Sequence, residues 1–357
     1  MINLKKNIIF ALFLILLILI SGCTGKKDVK KSLEEIRTGT EGIVLSFLPN
    51  APPATIHVEE NAENSFDAVL ELKNRGAYPQ PEDQIGAPFG DVYLSGYDRN
   101  ILQFTPESFN LNDRTLEGKS TINPNGGLDL ATFKGTISAR NLNVEKYEPT
   151  LLATACYTYN TIAGPSVCID PNPYSTIKEK KVCAVQDLTL TNQGAPVAVT
   201  TINEEALATK TQFKITIKNV GNGDVIKPGS LGKCSPYGDD KILREDIDKV
   251  QLEEVQVGNR RLTCRPFVDG GTDGVSGFIR LVNGEGFIIC EFFKTDYENS
   301  KTAFTTPLKI KFNYLYRNTV EKKIQLKKET SGLSGGSSVP SSSQPFVGQI
   351  RDISERD

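Results

Sequence analysis

The chain has 357 residues, and its 41 basic and 43 acidic side chains give a formal net charge of −2. This balance excludes a strongly basic nucleic-acid-binding protein, and with 38% apolar residues the chain is not an acidic disordered one. At about 150 residues per domain, the length predicts roughly two domains. The 30 glycines and 19 prolines favour strands and loops over a helical bundle.

The amino end has the pattern of an export signal. Lys5 and Lys6 precede an uninterrupted apolar run, residues 8–20, which two small residues separate from Cys23. The run is shorter than the ~20 residues that a membrane-spanning helix needs. We therefore expect residues 1–22 to be a signal peptide or a signal-anchor helix.

The segment I-S-G-C that ends at Cys23 resembles the lipobox of prokaryotic lipoproteins. This resemblance implies cleavage just before Cys23 and attachment of a lipid to its side chain. The alternative is an uncleaved anchor, which a thin bilayer or a tilted helix accommodates. In both cases residues 23–40 form a charged tether between the membrane and the folded part.

Six further cysteines make an even set that suits three disulfides: Cys156, Cys168, Cys183, Cys234, Cys264 and Cys290. Disulfides predict an oxidising, extracytoplasmic compartment. None of the cysteines has C-x-x-C spacing and the chain has one histidine, so we predict neither a zinc site nor another cofactor. Three of the six lie before residue 190 and three after it, so complete pairing requires a bridge between the two parts of the chain.

From Gly42 onward, short runs of alternating apolar and polar residues are separated by Gly, Pro, Asn and Asp clusters. This pattern predicts an all-β protein with two tandem immunoglobulin-like β-sandwiches, residues 41–162 and 193–329. A connector stapled by cysteines, residues 163–192, joins them, and a flexible Ser/Gly-rich tail follows at residues 330–357. One short helix is expected in a loop of the second sandwich, at residues 241–248.

Two segments of the chain recur in the same order. Residues 70–76 match residues 215–221, with the same alternation and the same Asn-x-Gly ending, and residues 151–161 match residues 308–318. In residues 213–218 the odd positions are apolar, as in a half-buried antiparallel strand. The repeats predict a duplicated domain.

Residues 212–225, Q-F-K-I-T-I-K-N-V-G-N-G-D-V, resemble the early strand and turn of CARDB-type (cell-adhesion-related) domains of prokaryotic surface proteins. The resemblance covers mainly residues 195–328. It implies an immunoglobulin-like sandwich that serves as a spacer or binding module. It implies little about the ligand, because sandwiches of this kind carry many unrelated functions.

Four features were weighed as chemical sites, and none predicts an enzyme. His57 falls on the polar face of a strand, and the G-x-S-x-G pattern at 332–336 lies in a low-complexity tail. The acidic loop of the second sandwich contains Asp239, Asp240, Glu245 and Asp246, the residue type that glycosidases use in pairs. Asp269 and Asp273 flank a glycine-rich turn, for which a Ca²⁺ site is the alternative to a plain turn.

These observations predict a non-catalytic structural, adhesive or ligand-binding protein that is anchored to the membrane at the cell surface. Its expected partners are the membrane and a surface protein or glycan, and not nucleic acid. One alternative is an accessory subunit of a membrane-bound secretion, pilus or transport complex. Another is a carbohydrate-binding or carbohydrate-active lipoprotein, which the lack of Trp disfavours.

Overall fold

The structure is a computed structural model that describes residues 36–80, 89–111, 115–175 and 181–329. Over these ranges the protein is all-β, as the sequence predicts. It contains 22 strands and two short 3-10 helices, Leu231–Cys234 and Lys294–Asp296. The predicted signal or anchor helix, the tether up to residue 35 and the tail from residue 330 lie outside the described residues.

The strands up to residue 189 are β1 Ile43–Phe47, β2 Thr55–Val58, β3 Asn64–Asn74, β4 Gly90–Ser95, β5 Leu102–Thr105, β6 Ser108–Leu111, β7 Leu128–Ile137, β8 Lys146–Tyr147, β9 Thr150–Ala163, β10 Ser166–Ile169 and β11 Leu188–Thr189. Those that follow are β12 Val197–Ala206, β13 Lys210–Asn219, β14 Asp224–Ile226, β15 Lys249–Val257, β16 Arg260–Arg261, β17 Thr263–Arg265, β18 Asp269–Gly270, β19 Gly277–Arg280, β20 Glu285–Phe293, β21 Phe304–Lys323 and β22 Gln325–Lys328.

The described strands form four sheets. The largest has ten strands, with the main order β18-β19-β15-β21-β9-β4-β6 and with β10, β14 and β16 attached at its sides. A four-stranded sheet has the order β1-β3-β7-β5, and a five-stranded sheet has the order β11-β12-β13-β20-β17. A small sheet has the order β2-β22-β8.

We call residues 41–163 the first half of the molecule and residues 188–323 the second half. The four-stranded sheet belongs wholly to the first half and the five-stranded sheet wholly to the second. The ten-stranded sheet takes strands from both halves, because β9 of the first half pairs with β21 of the second. The two halves therefore lie side by side on one continuous sheet.

The β9–β21 ladder, which we call the seam, is antiparallel and runs from Thr150 opposite Lys323 to Ala163 opposite Ile310. Both of its faces are covered near the centre. Four tyrosines of the seam are buried on one face, and Cys156 and Leu315 are buried on the other. One hydrophobic core cluster includes residues of both halves. The seam therefore lies inside the molecule.

The alternation predicted for residues 213–218 is confirmed. On β13, Phe213, Ile215 and Ile217 are fully buried, whereas the residues between them are partly or fully exposed. The strand pairs with β12 on one side and β20 on the other. It is thus a central strand that presents one face to the core.

Two of the buried tyrosines hold the start of β1 in the first half and the start of β12 in the second. The Tyr157 hydroxyl accepts a hydrogen bond from the Ile43 backbone N–H at 3.0 Å. The Tyr314 hydroxyl accepts one from the Val197 backbone N–H at 3.3 Å. Ile43 and Val197 are the first residues of β1 and β12, so the same contact recurs in both halves.

The other two tyrosines hold the turns that follow the recurring Asn-x-Gly segments. The Tyr159 hydroxyl accepts from the Tyr78 backbone N–H at 3.2 Å, and the Tyr316 hydroxyl accepts from the Gly223 backbone N–H at 2.5 Å. In each turn the asparagine side chain closes the loop on the residue four positions later. Asn74 donates to the Tyr78 carbonyl at 2.7 Å, and Asn219 donates to the Gly223 carbonyl at 2.8 Å.

One side chain on each long strand of the seam contacts the opposite half. The Thr161 hydroxyl on β9 donates to the Val197 carbonyl at 2.6 Å, and the Asn318 amide on β21 donates to the Ile43 carbonyl at 2.8 Å. The two contacts are reciprocal, because one runs from β9 of the first half to β12 of the second and the other from β21 of the second half to β1 of the first. Buried hydrogen bonds of this kind fix one relative position of the halves.

Residues 227–248, which we call the strap, belong to the long loop of the second half. Cys234, Leu231 and Ile242 of the strap pack on the outer face of the seam, against Cys156 and Leu315. This second, smaller apolar cluster covers the face of the seam that carries no tyrosines. The helix predicted for residues 241–248 is wrong: those residues form turns that are fixed by an isolated bridge from Ile247 to Ile226.

The predicted domain boundaries differ from the observed pairing at two places. The connector at 163–192 contains two strands, and both pair with the second half: β10 with β21, and β11 with β12. The last strand, β22, was placed in the second sandwich but pairs with β2 and β8 of the first half. Short strands pair with sheet edges whose backbone groups are otherwise unpaired. The alternation of apolar and polar residues does not show which edge a short strand joins.

Candidate functional site

The three disulfides are Cys156–Cys234, Cys168–Cys183 and Cys264–Cys290. The first joins β9 to the strap and is the bridge between the two parts of the chain that the cysteine count required. The third joins directly opposed residues of β17 and β20. Disulfides are therefore present, as predicted, and they favour an oxidising, extracytoplasmic environment.

The Cys168–Cys183 bridge does not attach the connector to the first half. Both cysteines lie within residues 163–192, and Cys168 sits on β10, which pairs with β21. The bridge therefore closes a loop on the flank of the second half. Cys23 lies outside the described residues, and no helix within them is long and apolar enough to cross a membrane.

His57 lies on β2 with its side chain in solvent, as predicted, between the buried residues Ile56 and Val58. Its Nδ1 contacts the Glu329 carboxylate, and this hydrogen bond lowers the pKa of Glu329. Both side chains are largely exposed, so the pair is a surface contact at the end of β22. The G-x-S-x-G pattern at 332–336 lies outside the described residues.

Asp269 and Asp273, the alternative calcium ligands, are each engaged locally. The Asp269 carboxylate pairs with the Lys249 ammonium, and Asp273 accepts from the backbone N–H groups of Val275 and Ser276 at 2.9 and 3.3 Å. These contacts lower the pKa of both aspartates. Within the described ranges, no group of three or more His, Cys, Asp or Glu side chains is arranged to hold a metal ion.

Of the four acids singled out in the second half, Asp246 is the one with a clear structural role. Its carboxylate is buried and accepts from the Lys233 ammonium at 2.9 Å, the Ser230 hydroxyl at 3.3 Å and the Leu243 N–H at 3.0 Å. The Lys233 contact is the main cause of a lowered pKa at Asp246. The group therefore stays ionised and fixes the strap.

The strap also contacts the first half directly. The Tyr237 hydroxyl contacts the Leu94 carbonyl and donates to the Tyr97 hydroxyl at 2.8 Å. The Arg99 guanidinium lies 4.3 Å from the centre of the Tyr237 ring, a cation–π distance. Part of the strap therefore crosses the seam and packs on the first half.

A polar cleft of about 340 Å³, the strap cavity, lies where the strap meets the seam. Thr154 of the first half and Arg317 of the second line it together with Lys241 of the strap. The Arg317 guanidinium is already bound to Asp224 through two nitrogens, at 3.1 and 2.8 Å. The cleft therefore presents hydroxyls and the Lys241 ammonium, which donates to the Pro236 carbonyl at 2.9 Å.

A cleft of about 730 Å³ lies at the edge of the second half, and we call it the edge cavity. Its floor is the end of β12, where Glu204 faces the interior on the same side as Ile202. Glu204 is buried, with only 7% of its surface exposed. Its Oε2 accepts from the Cys168 backbone N–H at 3.3 Å, whereas Oε1 has no hydrogen-bond partner.

Burial raises the pKa of Glu204 to about 7, and the Cys168 N–H offsets this only in part. The rim of the cavity contains an ion pair between Asp170 and Lys181 and the exposed ring of Tyr174. Sequence reasoning did not single out Glu204. The signal was present, because a strand that buries Ile202 must also turn residue 204 inward.

In comparisons with known proteins, no family model matches this chain and no curated protein is significantly similar to it. The fold and the contacts described above are therefore the basis on which a function is proposed.

Proposed function

We propose that the protein is a membrane-anchored, extracytoplasmic structural or adhesive protein, whose two halves form one rigid platform of two immunoglobulin-like sandwiches. The observation that carries this proposal is the seam. A 14-residue strand, β9, is paired along its whole length with β21, and the Cys156–Cys234 bridge crosses the same junction. A joint of this kind keeps two halves in one orientation, which a platform requires.

Three further observations support the proposal. The three disulfides favour a compartment outside the cytoplasm. The apolar run and the lipobox-like segment at Cys23 provide the anchor. The recurring contacts of Tyr157 and Tyr314 support a duplicated domain, and the CARDB-type resemblance of residues 212–225 supports the immunoglobulin-like assignment and an adhesive role.

The side-by-side packing favours a platform over a simple spacer. Spacer domains gain length when they are joined end to end, whereas these halves share a sheet across its width. The arrangement broadens the surface that the protein presents. Binding then falls to loops and clefts that the rigid sheets hold in place.

The proposal is tested in the cells that make the protein. A membrane-impermeant protease and a membrane-impermeant maleimide, applied to intact cells with and without reductant, report on location and on the state of the thiols. We expect protease digestion from outside and six more labelled cysteines after reduction and unfolding than before. Protection from the protease together with free thiols would overturn the proposal.

The anchor is tested separately with Cys23→Ser. If Cys23 carries the lipid, the variant loses the lipid mass and leaves the membrane fraction, whereas Cys23→Ser in an uncleaved anchor leaves the fractionation unchanged. Intact mass spectrometry of both proteins distinguishes these results. An unmodified Met1 in the wild-type protein would favour the anchor over lipidation.

Exposed apolar side chains favour the accessory subunit as a second candidate function. Leu128 and Leu130 on β7 are 50% and 47% exposed, and Ile122 in the preceding loop is 89% exposed. Apolar residues placed in this way are typical of protein contacts. A photocrosslinking amino acid at Leu130 would give one stoichiometric product in intact membranes for a subunit, and no defined product for an independent adhesive protein.

A further inference from the structure

We propose that the edge cavity binds a primary ammonium group carried on an aliphatic stem. This ligand class is proposed for the platform protein described above. It rests on the proposed function only in that the ligand would be encountered outside the cytoplasm.

Glu204 is a buried acid whose hydrogen-bonding capacity is half used. Its Oε1 has no partner, and no lysine or arginine makes an ion pair with it among the described residues. A buried polar atom left without a partner is costly, and such atoms are uncommon in native proteins unless they serve a purpose. A donor brought by a ligand would relieve the cost, and a cationic donor would also stabilise the ionised form.

The charges around the cavity favour a cation. Among the described residues that line it, three are acidic, Asp170, Glu204 and Glu205, and one is basic, Lys181. Lys181 is already paired with Asp170, which leaves the two glutamates without a basic partner in the described lining. This lining is therefore net negative and complements a ligand of positive charge.

The number of free oxygens favours an ammonium over a guanidinium or a metal ion. A guanidinium binds a carboxylate best through two parallel hydrogen bonds, but Oε2 of Glu204 is occupied by the Cys168 N–H. A metal ion such as Ca²⁺ takes six to eight oxygen ligands, and the described residues contain no cluster of that kind. A single free acceptor matches the compact charge of an ammonium.

The walls favour an aliphatic stem behind that charge. Pro173, Val182 and Val185 line the cavity, and Val182 is 77% exposed. The ring of Tyr174, which is 69% exposed, stands at the rim, where an aromatic face attracts a passing cation. A lysine side chain of a partner protein and a free diamine share this chemistry, and the experiment below distinguishes them.

The test uses the purified full chain, with its disulfides intact, in a titration followed by calorimetry. The probes are Nα-acetyl-lysine methylamide, 1,5-diaminopentane and the neutral 1-pentanol. We expect saturable binding of the amines and none of the alcohol. Tighter binding of the lysine derivative indicates a protein partner, and tighter binding of the diamine indicates a free ligand. Equal binding of 1-pentanol and the amines would overturn the proposal.

The pH dependence gives a second readout. Ammonium probes stay charged from pH 5.5 to 8, whereas Glu204, with its pKa near 7, becomes ionised over this range. If only the ionised form binds, the apparent affinity at pH 8 is about 30-fold higher than at pH 5.5. An affinity that does not change between these pH values would contradict a role for Glu204.

Three variants assign the binding to this site. Glu204→Gln keeps the shape of the side chain and should abolish both the binding and its pH dependence. Val182→Lys, at an exposed position on the rim, places a competing ammonium at the mouth and should weaken binding at least tenfold without burdening the core. Glu321→Gln, an exposed carboxylate on β21, is the matched control and should bind as the wild type does.

If Glu204→Gln fails to fold, as judged by circular dichroism, Val182→Lys alone decides the matter. Unchanged binding in Val182→Lys would overturn the proposal. The binding tests do not depend on where the protein is located. Failure of the ammonium site would therefore not contradict the platform function, and a cytoplasmic location would not contradict the ammonium site.

Discussion

Two glycines make room for the tyrosine hydroxyls at the centre of the molecule. A Cβ atom on Gly76 would lie 1.8 Å from the Tyr159 hydroxyl and 2.6 Å from the backbone carbonyls of Glu41 and Gly194. Gly221 stands in the matching position, where a Cβ would lie 2.3 Å from the Tyr316 hydroxyl. The backbone atoms around Gly76 cannot move away cheaply, so that position requires the absence of a side chain.

We therefore expect Gly76→Ala to lower the free energy of unfolding by about 1–3 kcal/mol, the usual cost of overpacking. Gly164→Ala is the control, because a Cβ at that position meets no heavy atom within 4 Å, and it should stay within about 0.5 kcal/mol of the wild type. Urea unfolding measures both. A Gly76→Ala protein as stable as Gly164→Ala would contradict the packing described for Tyr159.

Glu204 makes stability depend on pH in a predictable direction. Its pKa in the folded protein, about 7, lies above the 4.5 of an unperturbed glutamate, so between these values the folded state holds a proton that the unfolded state releases. The contribution of Glu204 to stability therefore falls as the pH rises from about 4.5 to about 7 and then levels off. Glu204→Gln has no such dependence.

The expected measurement is urea unfolding of the wild type and of Glu204→Gln at pH 5 and pH 8. Relative to the wild type, Glu204→Gln should gain about 2–3 kcal/mol on going from pH 5 to pH 8. An equal response of both proteins to pH would show that Glu204 is not the titrating group. This prediction concerns the protein without ligand and is separate from the binding test.

At the scale of single residues, alternation was a reliable guide, and its one omission had a physical cause. Parity placed His57 in solvent and Phe213 in the core, as the structure has them. The same parity turns Glu204 inward beside Ile202, but parity alone does not show whether a buried charged residue has a partner. Hydrogen-bond partners from the connector, such as the Cys168 N–H, are distant in sequence and have no local signal.

The strap and the disulfides act at the scale of elements. Cys156–Cys234 spans 78 residues of sequence and ties β9 to the strap, whereas Cys168–Cys183 spans 15 residues. A longer closed loop removes more entropy from the unfolded chain. The first bridge should therefore contribute more to stability than the second.

In the chain-entropy estimate, Cys156→Ala/Cys234→Ala loses about 4.5 kcal/mol and Cys168→Ala/Cys183→Ala loses about 3 kcal/mol. Urea unfolding of the two double variants tests the order. Hydrogen exchange on the first variant should also show faster exchange in residues 227–248, because the strap has lost its covalent attachment. A larger loss for the shorter loop would mean that strain or residual structure outweighs loop entropy.

The seam shows why strands were predicted better than their pairing. Residues 308–318, which match residues 151–161 in the sequence, lie on β21, and this strand extends to Lys323. The outward faces of β9 and β21 carry Cys156 and Leu315, which a solvent-facing strand would not favour. These two residues indicate that another segment covers the outer face. Neither the identity of that segment nor the pairing of β9 with β21 can be read locally, because both depend on contacts between residues far apart in sequence.

The whole molecule should unfold as one unit. The hydrophobic core contains residues of both halves, and β9 and β21 are each other's neighbours in the sheet. Opening one half would expose a long unpaired strand edge in the other, which is costly because the outer face of the seam is also covered. The halves therefore stabilise each other.

Differential scanning calorimetry should show a single transition whose calorimetric and van't Hoff enthalpies agree. Two resolved transitions, or a calorimetric enthalpy well above the van't Hoff value, would mean that the halves are independent domains. The control is Cys156→Ala/Cys234→Ala, which should keep a single transition at a lower temperature, since the β9–β21 ladder remains.

The small sheet β2-β22-β8 bears on the order in which the protein is synthesised. β2 lies near the start of the folded part, yet its partner, Gln325–Lys328, is among the last described residues, and β9 must also wait for β21. A chain made from its amino end therefore cannot complete its first half until residue 328 has been synthesised. We expect the first half to stay incompletely folded until then.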